Sequence, residues 1–152
     1  MFETQPRVPR EIDEQTQKHL DRMSEGRDAW NKWANEMLAR KTELENTYNH
    51  KNNWANSGVS ELQTWHRETN INFSYLTFHI EKSPINPEEL ETDQTRVVLQ
   101  KKLNFFEFIF PNEISFEGVE FIEDVNFFGA KFEGHVNFTI AKFMGKADFS
   151  ET

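Results

Sequence analysis

Phe105, Phe110, Phe116, Phe121, Phe127, Phe132, Phe138, Phe143 and Phe149 follow one another in steps that alternate five and six, a strict period of eleven. An α-helix keeps one face by steps of three and four, and a continuous strand alternates every two residues. Neither accommodates this spacing, so the order must be local. Two residues before each of these phenylalanines stands a second apolar residue: Leu103, Phe108, Ile114, Val119, Val125, Ala130, Val136, Ala141 and Ala147. The residue between the two is mostly polar, as in Asn104, Ser115, Asn126, Lys131, Asn137 and Asp148. Each unit therefore predicts a three-residue strand that runs in, out and in, followed by a corner. Gly118, Gly129, Gly134 and Gly145 each fall two places after a phenylalanine of the series, where a tight corner favours glycine.

A short strand and a corner, repeated, wind into a solenoid whose turns share one core. Four such sides make a circuit of two periods, which sets LNFFE at 103–107 directly beneath VNFFG at 125–129. The additional residue at every second corner is then Lys102, Glu113, Asp124, His135 and Lys146. The pattern can be followed back to Val97 and Leu99, so that residues 97–152 supply about two and a half coils.

The units resemble pentapeptide repeats, in which a small residue and Asp or Asn precede Leu or Phe and two variable positions. ADFSE, VNFFG and VNFTI follow this form, whereas AKFEG and AKFMG carry Lys at the second position. The resemblance implies a mainly β solenoid, a right-handed quadrilateral β-helix, in a bacterial protein. It also brings a functional expectation, because some members resemble duplex DNA in shape and charge and occupy the DNA site of type II topoisomerases. INFSYLTFHI at 71–80, with Phe73 and Phe78 five apart, reads as an isolated earlier pair.

Residues 1–70 are built differently. EIDEQTQKHLDRM, SEGRDAWNKWANEMLARKTELENT and SGVSELQTWHRE read as helices, the second with an apolar stripe of Ala29, Trp30, Trp33, Met37, Leu38 and Leu44. The first coil of a solenoid exposes unpaired strand edges and an open core, and terminal units need a cap. Trp30 and Trp33 are the expected capping residues. The domain reading is thus a helical cap over 1–70 and a repeat array over 71–152. Within that array, 81–96 is an inserted loop with a short helix starting at Asn86.

Chemistry is harder to find. The chain has no cysteine, which excludes disulfides, thiolate metal sites and a cysteine nucleophile. His19, His50, His66, His79 and His135 show no ligand spacing, and no phosphate-binding glycine loop occurs. Catalytic, cofactor-binding and metal-ligating residues are therefore expected to be absent, and the protein is expected to be non-enzymatic. Residues 71–152 carry seven basic side chains against fourteen acidic ones, which disfavours direct nucleic-acid binding. No apolar run approaches the roughly 20 residues of a membrane span, and the start lacks the apolar stretch of a signal peptide. A soluble, cytoplasmic protein is expected.

Three roles follow. The leading one is a structural or protein–protein interaction module with an unidentified protein partner. The second is a DNA-mimicking modulator of a gyrase-like enzyme. The third is the soluble start of a longer protein whose activity lies downstream. Such circuits bring Glu120 to Lys142, Lys101 to Glu123, and Lys102 to Asp124 and Lys146. This alternation stabilises a surface, whereas a DNA mimic wants continuous acidic stripes. Phe149 ends the column of Phe105 and Phe127, so self-association through the C-terminal coil is also expected.

Overall fold

The computed structural model describes residues 11–48, 58–80, 96–99 and 103–152. Three helices come first: α1 (Glu14–Ser24), α2 (Arg27–Tyr48) and α3 (Ser60–Thr69). Asp13 starts α1 by accepting the Thr16 N–H at 2.7 Å, a side-chain cap on an otherwise unpaired donor. Glu25 and Gly26 join α1 to α2, and Gly26 takes φ +102°, a conformation that suits glycine.

Eleven short strands follow: β1 (Ile71–Asn72), β2 (Thr77–Ile80), β3 (Arg96–Leu99), β4 (Ile109–Phe110), β5 (Ile114–Ser115), β6 (Glu120–Phe121), β7 (Val125–Asn126), β8 (Lys131–Phe132), β9 (Val136–Asn137), β10 (Lys142–Phe143) and β11 (Ala147–Asp148). All their pairings are parallel, in small sheets ordered β1-β5-β9, β10-β6-β2-β3, β11-β7 and β4-β8. A bridge from Asn104 to Asn126 lengthens the β11-β7 sheet. From β4 onward the chain enters the four sheets in a fixed order. It returns to each after the same interval, pairing Ile109 with Lys131, Ile114 with Val136, Glu120 with Lys142 and Val125 with Ala147.

The register corrects two expectations. Residues 71–78 are no isolated pair, because Ile71 pairs with Ile114 and Phe78 with Phe121. Val97 pairs instead with Phe78, one strand farther out, so 96–99 do not occupy the position one circuit before Phe121. The physical reason lies in the rings: Phe78 stacks on Phe121 at 5.7 Å and 13° between planes, and Phe73 packs beside Phe116. The step from Ile71 to Ile114 is nearly twice that from Ile114 to Val136, so an excursion almost as long as a circuit intervenes. The expected helix at Asn86 lies outside the described residues.

Inside the four sheets the phenylalanines form columns. Phe127 lies between Phe105 at 4.8 Å and Phe149 at 4.9 Å, both nearly parallel to it. Phe110 stacks on Phe132 at 4.9 Å, Phe116 on Phe138 at 5.0 Å and Phe121 on Phe143 at 4.9 Å. Edge-to-face contacts, such as Phe116 to Phe127 and Phe121 to Phe127, tie one column to the next. Phe105, Phe110, Phe116, Phe121 and Phe127 are fully buried, whereas Phe132, Phe138 and Phe143 are half-buried and Phe149 is exposed. Burial therefore falls along each column towards its C-terminal member.

The corners are of two kinds, which accounts for the alternation of five and six. After the sheets of β1 and of β7, the residue two beyond the phenylalanine takes positive φ: Tyr75, Glu107, Gly118, Gly129, Ile140 and Glu151. The residue before the phenylalanine prepares this turn, with Asn72, Asn104, Asn126, Asn137 and Asp148 each accepting the N–H two residues on. That hydrogen bond holds the Asp148 carboxyl below its ordinary value. The other two sheets have no such turn and carry Lys131 and Lys142 at the same place. Gly134 and Gly145 stand at these other corners without positive φ. A Cβ there would come within 2.7 Å of the backbone of Asn112 and Asp124, respectively.

Candidate functional site: the covered edge and the outer faces

A parallel stack of short strands leaves unpaired N–H and C=O groups at each end. At the N-terminal end the described residues cover three of the four sheets, each by a different device. On β4, the Trp30 indole N–H donates to the Ile109 carbonyl at 2.7 Å, and the Asn31 amide donates to the Glu107 carbonyl while accepting the Ile109 N–H, both at 2.9 Å. On β1, the Thr16 hydroxyl donates to the Asn72 carbonyl at 3.2 Å. On β2, the outer edge is taken by β3.

Trp30 also closes the core. It is fully buried, stacks on Phe108 at 5.4 Å and meets Phe110 edge-on at 5.7 Å. Trp33 is half-buried against the same cluster, edge-on to Trp30 at 5.2 Å, with the Arg22 guanidinium 4.0 Å above its ring. The sequence missed Thr16 and Asn31, since a polar residue in a helix carries no sign of which carbonyl it will meet. The expected single stripe on α2 is in fact shared between two cores. Trp30, Ala34 and Trp33 face the stack, while Leu44 and Met37 join Leu62, Trp65 and Val59 in a separate cluster with α3. A helix of 22 residues is about 33 Å long, longer than one side of the stack can cover.

At the opposite end, among the described residues, no strand pairs with the outer side of β8, β9, β10 or β11. The outer faces carry charges in register, with Glu120 beside Lys142, and the Lys146 N–H donates to the Asp124 carboxylate at 2.8 Å. Lys101 and Lys102 lie outside the described residues. Phe106 and Phe128 form a second aromatic stack, half-buried and outside the core, at 5.6 Å. The sheet of β10 and β6 has an apolar border on its outer side. Tyr75 and Ile140 occupy the corner before it, Met144 the corner after it, and all three are exposed.

The histidines do not converge. His19 is buried beneath the tryptophans, His66 lies 3.3 Å from the Asn112 amide, and His135 is exposed. His79 Nδ1 comes within 3.0 Å of Glu123 Oε1 without the angle of a hydrogen bond. His50 lies outside the described residues. Among the described residues no three His, Asp or Glu side chains group as a metal site would require. No described helix is long and apolar enough to cross a membrane. Comparison of the chain with protein-family models, with curated proteins and with solved structures finds no match.

Proposed function

We propose that residues 71–152 form a right-handed, four-sided β-helix of pentapeptide-repeat type with a helical N-terminal cap, and that the protein is a non-enzymatic module for contact with another protein in the bacterial cytoplasm. The return to each of four parallel sheets after one constant interval supports the architecture. The covering of β1 and β4 by Thr16, Trp30 and Asn31 supports the cap. The observation that carries the function is the outer side of β6 and β10. There an alternating Glu120–Lys142 pair is bordered by exposed Tyr75, Ile140 and Met144. Exposed apolar side chains gathered along one face suit a protein partner.

Affinity capture from the native host tests this reading, with the wild type compared against Ile140→Glu/Met144→Glu, which alters exposed side chains only. A partner retained by the wild type and lost by the double variant, with the variant unfolding at or above the wild-type melting temperature, is the expected result. Retention by both, or by neither, removes this face from the account. The net acidic balance of 71–152 favours the DNA-mimic reading, whereas Lys142 beside Glu120 opposes it. Stoichiometric inhibition of gyrase supercoiling would decide for that reading.

A further inference from the structure

His19 is a buried ionisable group that the capping role does not need. It lies on the inner face of α1 and is fully buried. Its ring packs against Trp33 at 5.4 Å and Trp30 at 6.2 Å. Nδ1 sits 3.1 Å from the Arg22 guanidinium, which can only donate, so Nδ1 is the acceptor and the proton of the neutral ring resides on Nε2. Among the described residues Nε2 has no hydrogen-bond partner, and it has no access to water. Protonation would put a proton on Nδ1 facing Arg22 and set two cations side by side in an aromatic enclosure.

The charged groups around the ring do not offset this. From α1 it faces Arg22 closely and Asp13 more weakly. From α2 it meets the rings of Trp30 and Trp33, and β1 has no ionisable residue. Burial first, then Arg22, lower the His19 pKa from 6.5 to about 4, with Asp13 opposing.

The helix is short, with 11 residues, and few side-chain tethers join it to its neighbours among the described residues. Side-chain hydrogen bonds from Thr16 to the Asn72 carbonyl and from Gln15 to the Glu68 carbonyl, both at 3.2 Å, tie it to the strands and to α3. Leu20 and Met23 supply its apolar contacts beside His19. Gly26, with open space around its Cα and φ +102°, separates it from α2. Short elements with few tethers open at low free energy while the rest stays folded.

We propose that α1 is an acid-released latch, in which protonation of His19 frees α1 from Trp30 and Trp33 while α2 and the strands remain folded. The inference rests on the capping reading above. Release would uncover the Trp30–Trp33 pair and the Asn72 carbonyl, so that acidification converts a closed end into an adhesive one. The sign follows from the lowered folded value. The docked state favours the neutral ring, so docking is at full strength above pH 6.5 and is lost progressively as pH falls towards 4. A difference of that size shifts the ratio of docked to released α1 by about 300-fold at most.

Segment-resolved hydrogen exchange on the full chain at pH 7 to 4, corrected for intrinsic rates, tests the latch. Protection of residues 14–24 should fall by up to about 300-fold, while β5 to β10 keep theirs. His19→Leu should abolish the pH dependence of α1, with Asp13 still present as an internal control. If that variant does not fold, NMR titration of the His19 ring in the wild type answers the same question, and a value near 6.5 overturns the proposal. Equal loss of protection in α1 and the strands would also overturn it, because the group would then govern global unfolding. Failure of the capping reading looks different, as α1 would be unprotected already at pH 7.

Discussion

Replacing Phe127 by Ala removes the ring at the centre of the phenylalanine stack. The side chain is fully buried, with parallel rings at 4.8 Å below and 4.9 Å above. Four further rings, those of Phe116, Phe121, Phe132 and Phe138, lie within 6.3 Å. Lost burial contributes about 2–3 kcal/mol. The space left behind adds about 2 kcal/mol at roughly 24 cal/mol per Å³, because strands held in parallel register on both sides cannot collapse into it. The expected cost is about 4–5 kcal/mol, a third or more of the stability of an ordinary domain. For a chain of this size the melting temperature should fall by roughly 10–20 °C. Phe149→Ala is the internal comparison, since Phe149 belongs to the same column, stacks on one ring and is 37 % exposed. It should cost about 1–2 kcal/mol. Urea unfolding of the two variants and the wild type measures both. A loss at Phe127 no larger than the loss at Phe149 would refute the stacked core.

Three further outcomes are expected. Ile140→Asn should stabilise the protein by roughly 1 kcal/mol in thermal unfolding, since a β-branched residue at φ +50° is strained and Asn tolerates that region. Gly134→Ala should lower stability by more than about 1 kcal/mol despite its ordinary φ, because the new methyl meets the Asn112 backbone at 2.7 Å. Trp30→Phe keeps the stacking on Phe108 but leaves the Ile109 carbonyl without the indole donor, at a cost of about 1–3 kcal/mol, and exchange at β4 should rise.

The repeat was readable because its cause is local. An inward pair, an outward residue and a corner all lie within five or six positions, so Phe105 to Phe149 announce their own columns. Asn104, Asn126 and Asn137 were legible as the outward polar residue of their units, but not that each of them, like Asn72, makes its turn by accepting the N–H two residues on. What escaped depends on distance along the chain. Phe78 stacks on Phe121 across an excursion, and Leu99 looked equivalent because spacing counts residues without knowing that an excursion intervenes. The two roles of glycine were hidden for a similar reason, as Gly134 and Gly145 answer to backbone one circuit away. Trp30 stood out as a capping residue by size alone, while Asn31 and Thr16 act through carbonyls that only the folded chain brings near.

The four-sided circuit of two eleven-residue periods is tested most directly by introduced cysteines, because the chain has none of its own. Glu120 and Lys142 are register partners on adjacent parallel strands, whose spacing of about 4.8 Å falls within the reach of a disulfide. Lys131 and Lys142, one period apart, belong to different sheets. Mild oxidation of Glu120→Cys/Lys142→Cys should give a rapid intrachain disulfide in the native protein, read by mass and by thiol loss, while Lys131→Cys/Lys142→Cys should stay reduced. Closure of the second pair in place of the first would mean a shorter circuit and would contradict the four-sided account.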